Sequence, residues 1–89
     1  MYKIVYTSKA RKDLKNLDFY VGQRIIKKIR AYKETNNPLN FAKPLKNSRI
    51  GHFRFRIGDY RAVFDIDNNG NIKILLILKI AHRKDVYKD

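Results

Sequence analysis

The 89 residues suffice for one small domain with one modest core, and an apolar content of 44% is that of an ordinary globular chain, which excludes disorder. Lys and Arg number 21 against 8 acids, a net charge of +13 that points to a polyanionic partner: nucleic acid first, then an acidic protein, then an anionic membrane. With no cysteine and two histidines, disulfides and thiolate metal sites are excluded and no metal or other cofactor is expected; the absence of a long apolar run or signal region predicts a cytoplasmic chain with no membrane partner.

Taken in order, residues 2–6 alternate as a first strand. Thr7 and Ser8 can cap a helix over residues 9–17, whose Ala10, Leu14 and Leu17 fall on one side. Residues 16–18 form a short break. A longer helix over 19–35 carries Val21, Ile25, Ile29 and Tyr32 as a core stripe widened by Ile26. Arg24, Lys27, Lys28, Arg30 and Lys33 cover the rest, either as a solvated face or as a phosphate-backbone contact. Pro38 forbids continuation. Residues 39–51 read as a loop anchored by Phe41 and Leu45, with Lys43, Lys46 and Arg49 adding to the basic surface.

Residues 52–66 predict a hairpin about Gly58-Asp59, because Gly reaches positive φ without steric cost. A second turn is expected at 67–71. Residues 72–80 are nearly all apolar and predict a central strand buried on both faces, followed by a short polar tail. The order β-α-α-β-β-β predicts a single α+β domain over 1–89, with both helices on one face of a mostly antiparallel four-stranded sheet.

The hairpin sorts its side chains. Phe53, Phe55, Ile57, Tyr60, Ala62, Phe64 and Ile66 share one face, which with Ile74 is expected to pack on the helices. Arg54, Arg56 and Arg61 share the other, and Arg56 directly faces Arg61. Like charges placed so repel, so an anion is expected between them. If Ile66 pairs with Ile72, Arg61 neighbours Ile77, and Lys79 and Arg83 join the arginine face with His52 at its edge. Converging guanidinium groups stabilise phosphate through bidentate bonds. They also favour the transition state in which a 2′-hydroxyl attacks its own phosphodiester. Tyr87 can stack on an unpaired base. The same cluster without chemistry is a phosphate-binding patch.

The motif R-F-R-I-G-D-Y-R-A-V-F at residues 54–64, followed by I-A-H-R-K-D-V-Y at 80–87, resembles the RelE family of bacterial toxins within the RelE/ParE superfamily. The similarity extends over the whole chain, including the Y-K-I opening and the K-P-L-K segment. It implies a RelE-like fold and a metal-independent endoribonuclease that enters the ribosomal A site and cuts translated mRNA. It also implies control by a cognate antitoxin, with promoter DNA met only through that complex. By position, the resemblance assigns Arg54 and Arg56 to the scissile phosphate region and Arg61 to the phosphate itself. Arg83 is assigned to the leaving group or phosphate, and Tyr87 to stacking on an mRNA base. Lys43, Lys46 and Lys79 are expected as further RNA contacts. Arginine cannot readily give up its proton, so a base is sought elsewhere: His52 by parity, then His82. The alternatives are a ParE-like toxin that binds DNA gyrase without cutting RNA, and a non-catalytic nucleic-acid-binding subunit. The expected antitoxin segment is acidic or amphipathic and folds as it wraps the domain.

Overall fold

The computed structural model describes residues 1–46 and 49–88; the part of the expected loop at 47–48 and the last residue of the tail lie outside the described residues. Strand β1 (Tyr2–Tyr6) leads into helix α1 (Ser8–Lys15) and helix α2 (Phe19–Lys33). A 3-10 turn (Pro38–Phe41) follows, then β2 (Ala42–Pro44), β3 (Phe53–Ile57), β4 (Tyr60–Asn69) and β5 (Ile72–His82). The sheet order is β1-β5-β4-β3-β2, parallel between β1 and β5 and antiparallel elsewhere.

The sheet therefore has five strands where four are expected. Residues 42–44 pair with β3 as a short edge strand, Ala42 opposite Phe55 and Lys43 opposite Arg54. Three residues give no readable alternation, and Pro44 is tolerated only because the strand lies at the edge. The helices match their apolar stripes. Thr7 caps α1 by accepting the Ala10 N–H at 3.1 Å, and Asp18 caps α2 by accepting that of Tyr20 at 3.0 Å. Ala10, Ile25 and Ile29 are buried against Phe55, Phe64, Leu75, Ile77 and Ile80. Asp13 of α1 accepts the Ile80 N–H at 2.9 Å, which supplies a partner beyond the end of β1 and pins the helix to β5.

Both hairpins use the same device. Gly58 and Gly70 have φ of 60° and 64°, while Asp59 and Asn71 keep negative φ, the sign pattern of a II′ turn. The second turn is thus Gly70-Asn71 alone, and β4 runs on to Asn69. This moves the register: Ile66 pairs with Leu75, not Ile72, and Arg61 with Ala81, not Ile77. Leu75 takes the core position expected for Ile74. A bulge between Val63 and Phe64 then leaves Leu78 unpaired and restores the parity. Lys79 and Ala81 consequently do share the face of Val63 and Arg61. The expectation for β5 is met on one face only. It is an interior strand, but Ile74, Leu76 and Leu78 on the side away from the helices are half-buried.

Gly51 is buried tightly against the sheet. A Cβ built there would lie 2.5 Å from Val63 Cγ1, and its φ is 148°. The segment entering β3 crosses the open face of β4 and β5 at this point.

Candidate functional site

The tight Gly58-Asp59 turn fixes the pairing of β3 with β4, and Arg56 lies opposite Arg61. Lys43 on the edge strand lies opposite Arg54. All four cations are on the face of the sheet away from the helices. With Phe41 they line a cleft of about 140 Å³ that has no carboxylate in its wall. Backbone carbonyls hold two of the guanidinium groups in place. Arg61 Nη1 donates to the Gly58 and Tyr60 oxygens at 3.0 and 2.9 Å, and Arg54 Nη1 donates to the Pro44 oxygen at 2.8 Å. Arg61 is held below the usual arginine range, first by partial burial, then by Arg56, Arg54 and Arg83, with Asp59 opposing. Arginine remains a cation at any physiological pH. The shift thus records partial burial first and then positive charge crowded together, which Asp59 at the turn offsets only in part.

Arg83 reaches this cluster from the far end of the chain. Its N–H donates to the Asp59 oxygen at 2.7 Å, and its Nε lies 3.9 Å from Asp59 Oδ1. It therefore sits beside the hairpin turn. Tyr87 is about half exposed, between Val86, which is buried, and Lys88. Lys79 shares the open face, but its ammonium does not enter the cleft. It donates to the Val86 oxygen at 2.9 Å and to the Lys88 oxygen, so that it ties the tail to β5. Lys46 is exposed after β2 and does not line the cleft.

His52 is on the arginine side by parity, two residues beyond Arg54 along the chain. At about 3.3 Å per residue, that places it roughly 7 Å from Arg54 and 13 Å from Arg56 along the strand direction. Asp65 holds it there: Asp65 Oδ1 accepts the His52 backbone N–H at 2.7 Å and lies 2.8 Å from its Nδ1. The ring is outside the cleft. His82 pairs with Tyr60, stacks edge-on against it, and accepts the Lys84 N–H at 3.2 Å. That position belongs to the helix-facing side.

One wall residue, Phe41, goes beyond the sequence expectation, and Lys43, expected as an RNA contact, lines the cleft with it. Phe41, expected only as a loop anchor, stacks on Tyr32 with centroids 4.7 Å apart and forms one side of the cleft. Lys43 enters because β2 pairs with β3. The Asp65 partner of His52 was legible: continuing the Arg54–Val63 pairing by two residues brings the two opposite each other. Among the described residues no three histidine, aspartate or glutamate side chains cluster as metal ligands, and no helix is long and apolar enough to cross a membrane.

The family model for the ParE toxin of type II toxin–antitoxin systems (parDE) matches residues 4–87. Toxin RelG of Mycobacterium tuberculosis is 31% identical over 88 residues, covering 98% of this chain and 97% of the relative. Toxin RelE of the same organism is 32% identical over 87 residues, covering 98% and 87%. Among solved structures, the toxin–antitoxin complex RelBE2 from Mycobacterium tuberculosis is similar with a TM-score of 0.68 and 27% identity, over 92% of this chain and 98% of that one. The RelB–RelE complex from Methanococcus jannaschii is similar with a TM-score of 0.59 and 26% identity, over 93% and 94%.

Proposed function

The chain belongs to the ParE toxin family of type II toxin–antitoxin systems, within the RelE/ParE superfamily, and on that premise we propose that it is a ribosome-dependent mRNA endoribonuclease. The observation that carries the reading is the acid-free cleft lined by Arg54, Arg56 and Arg61, with Arg83 at its turn. In the proposed reaction the 2′-hydroxyl of the message gives its proton to solvent water as its oxygen bonds to the adjacent phosphorus, the P–O5′ bond breaks, and the 5′-oxygen takes a proton from solvent, so that the products carry a 2′,3′-cyclic phosphate and a 5′-hydroxyl. Negative charge on the phosphoryl oxygens rises towards the transition state. Guanidinium groups held by backbone carbonyls meet that charge without reorganising.

In this assignment Arg61 binds the phosphate, Arg54 and Arg56 flank it, and Arg83 receives the leaving group. Tyr87 stacks on a base, Lys43 extends the phosphate track, and Lys46 is a peripheral RNA contact. Lys79 acts through the tail it holds. Because His52 is outside the cleft, charge stabilisation and orientation carry most of the rate, and proton transfer is a minor contribution. The proposed partners are the ribosome, its mRNA and a cognate antitoxin; the RelBE2 and RelB–RelE structures with this fold are toxin–antitoxin complexes.

Expression in a translating extract, with cut sites mapped by primer extension, tests the reading. New 5′ ends on ribosome-bound message with the wild type, lost with Arg61→Ala, support it; messages equally intact in both contradict it. The family model's ParE description favours a second reading, a gyrase-binding toxin. Supercoiling blocked at stoichiometric protein, without RNA cleavage, would select that one.

A further inference from the structure

One aromatic ring in the cleft wall has no part in the reaction as proposed. Phe41 ends the 3-10 turn and is 47% exposed, although its ring stacks on Tyr32 with centroids 4.7 Å apart and planes 16° from parallel. One face covered and one face open accounts for that exposure. Behind it the rings continue inward. Tyr32 lies 4.8 Å from Phe55, and Phe55 lies 4.2 Å from Phe64, centroid to centroid, and both phenylalanines are fully buried. The turn that carries Phe41 is also held. Pro38 is buried, and Asn37 accepts the Leu39 N–H at 3.1 Å with its side chain and the Asn40 N–H at 3.0 Å with its backbone oxygen. Phe41 is thus the outer end of an aromatic column rooted in the core, and its free face cannot swing away without breaking the stack.

Continuing the Ala42–Phe55 and Lys43–Arg54 pairing by one residue sets Phe41 level with Arg56, and Arg56 faces Arg61. Across the sheet the row runs Phe41, Arg56, Arg61, with Arg83 beyond it at the turn. With strands about 4.8 Å apart, Phe41 and Arg61 are roughly 10 Å apart along the row. The cleft they line holds about 140 Å³, less than the roughly 300–1,000 Å³ of sites that enclose a whole small ligand. It has room for a phosphate group, so the attached base lies outside, on its rim. We infer that the open face of Phe41 is a stacking platform for the base on the 5′ side of the scissile phosphate, that of the nucleotide whose 2′-hydroxyl attacks. The side follows from Arg83, which is at the opposite end of the row and receives the 5′-oxygen in the proposed reaction. The inference rests on that reading of the cleft and adds a substrate contact to it. A rigid aromatic plane beside phosphate-binding guanidinium groups suits an unpaired base, whose flat face needs no enclosing pocket. An apolar peptide side chain needs a hollow to fill, and the other side chains lining this cleft are all cationic.

The test needs neither ribosome nor cleavage. Two non-cleavable 2′-deoxy dinucleotides, each with a single phosphate, carry the fluorescent base 2-aminopurine on the 5′ or the 3′ side and an abasic deoxyribose on the other. Each is titrated with the full-length protein at low salt, and quenching of 2-aminopurine reports stacking. The wild type is expected to bind and quench the 5′ probe. Phe41→Ala should bind it about 5- to 150-fold more weakly, the loss of one stacked base, and without quenching. Phe41→Leu, which keeps an apolar side chain against Tyr32, should behave as Phe41→Ala does, and Phe41→Tyr should restore both signals. The 3′ probe, with no base on the attacking nucleotide, should bind the wild type and Phe41→Ala equally. Equal binding and quenching of the 5′ probe by the wild type and Phe41→Ala would overturn the inference, as would no binding by the wild type. Quenching of the 3′ probe that depends on Phe41 would put the platform on the wrong side and overturn it too. Lost antitoxin binding in Phe41→Ala, with binding of the 5′ probe unchanged, would assign the ring to a protein partner instead. The endonuclease reading fails separately, as an intact message in the translating extract, while the probes still report the platform. Circular dichroism melting confirms that the variants fold.

Discussion

Arg56 and Arg61 face each other across the hairpin with no acid in the cleft they line, and that residue-scale conflict is the chain's clearest functional signal. Directly opposed like charges cost about 0.2–1 kcal/mol. Arg56→Gln should therefore raise Tm by about 1–8 °C in a domain of this size, while lowering cleavage; an unchanged or lower Tm would show the pair already relaxed. Sulfate should stabilise the wild type and do so much less in Arg61→Ala. The pH dependence follows from the sign of the Arg61 shift. A cation whose folded pKa lies below its unfolded one gains stability only as pH climbs past the folded value. Both states are fully protonated at neutral pH, so the sulfate-induced rise in Tm should be flat between about pH 6 and 9. His52 gives the contrast. Held by Asp65 outside the cleft, it should cost less than about tenfold in cleavage as His52→Ala, against roughly 10²- to 10³-fold for Arg61→Ala. A larger loss for His52→Ala would make it the missing base.

At the scale of elements, periodicity reaches as far as each strand or helix is long. The α2 stripe of Val21, Ile25, Ile29 and Tyr32 and the β3–β4 register could be read directly, because a buried face and a two-residue turn each fix one answer. The edge strand at residues 42–44 could not, being shorter than one clear alternation. The β4–β5 register escaped because Asp67, Asn68 and Asn69 have turn-former chemistry yet continue the strand. The bulge at Leu78 then compensated the shift, so Lys79 reached its expected face for a reason no pattern carries. Its role also differs. Lys79 donates to tail carbonyls, and hydrogen bonds from a charged donor contribute about 1.5–3 kcal/mol. Lys79→Met should speed amide exchange in residues 83–88 by about 10- to 100-fold with little change in global Tm. If the tail serves to present Tyr87, the variant should lose cleavage to the same extent as Tyr87→Ala, and the double variant should lose no more than either; additive losses would separate the two. Gly51→Ala should destabilise the whole fold, since its Cβ would collide with Val63 and its backbone has positive φ.

The whole molecule is a basic sheet–helix sandwich with charge on both outer faces: a cleft of arginines on one side and the helical pair on the other. The arginine cleft is on the sheet side, where the edge strand pairs with the start of β3 and Arg83 meets the Gly58-Asp59 turn. The central claim is that this cleft promotes attack by the message's own 2′-oxygen. The most direct measurement is single-turnover cleavage on programmed ribosomes, with a message carrying one 2′-deoxynucleotide immediately 5′ of the mapped cut. The proposed mechanism predicts cleavage of the all-ribose message to a 2′,3′-cyclic phosphate and a 5′-hydroxyl, and none at the deoxy position. Cleavage that survives the deoxy substitution, or products with a 5′-phosphate, would contradict it.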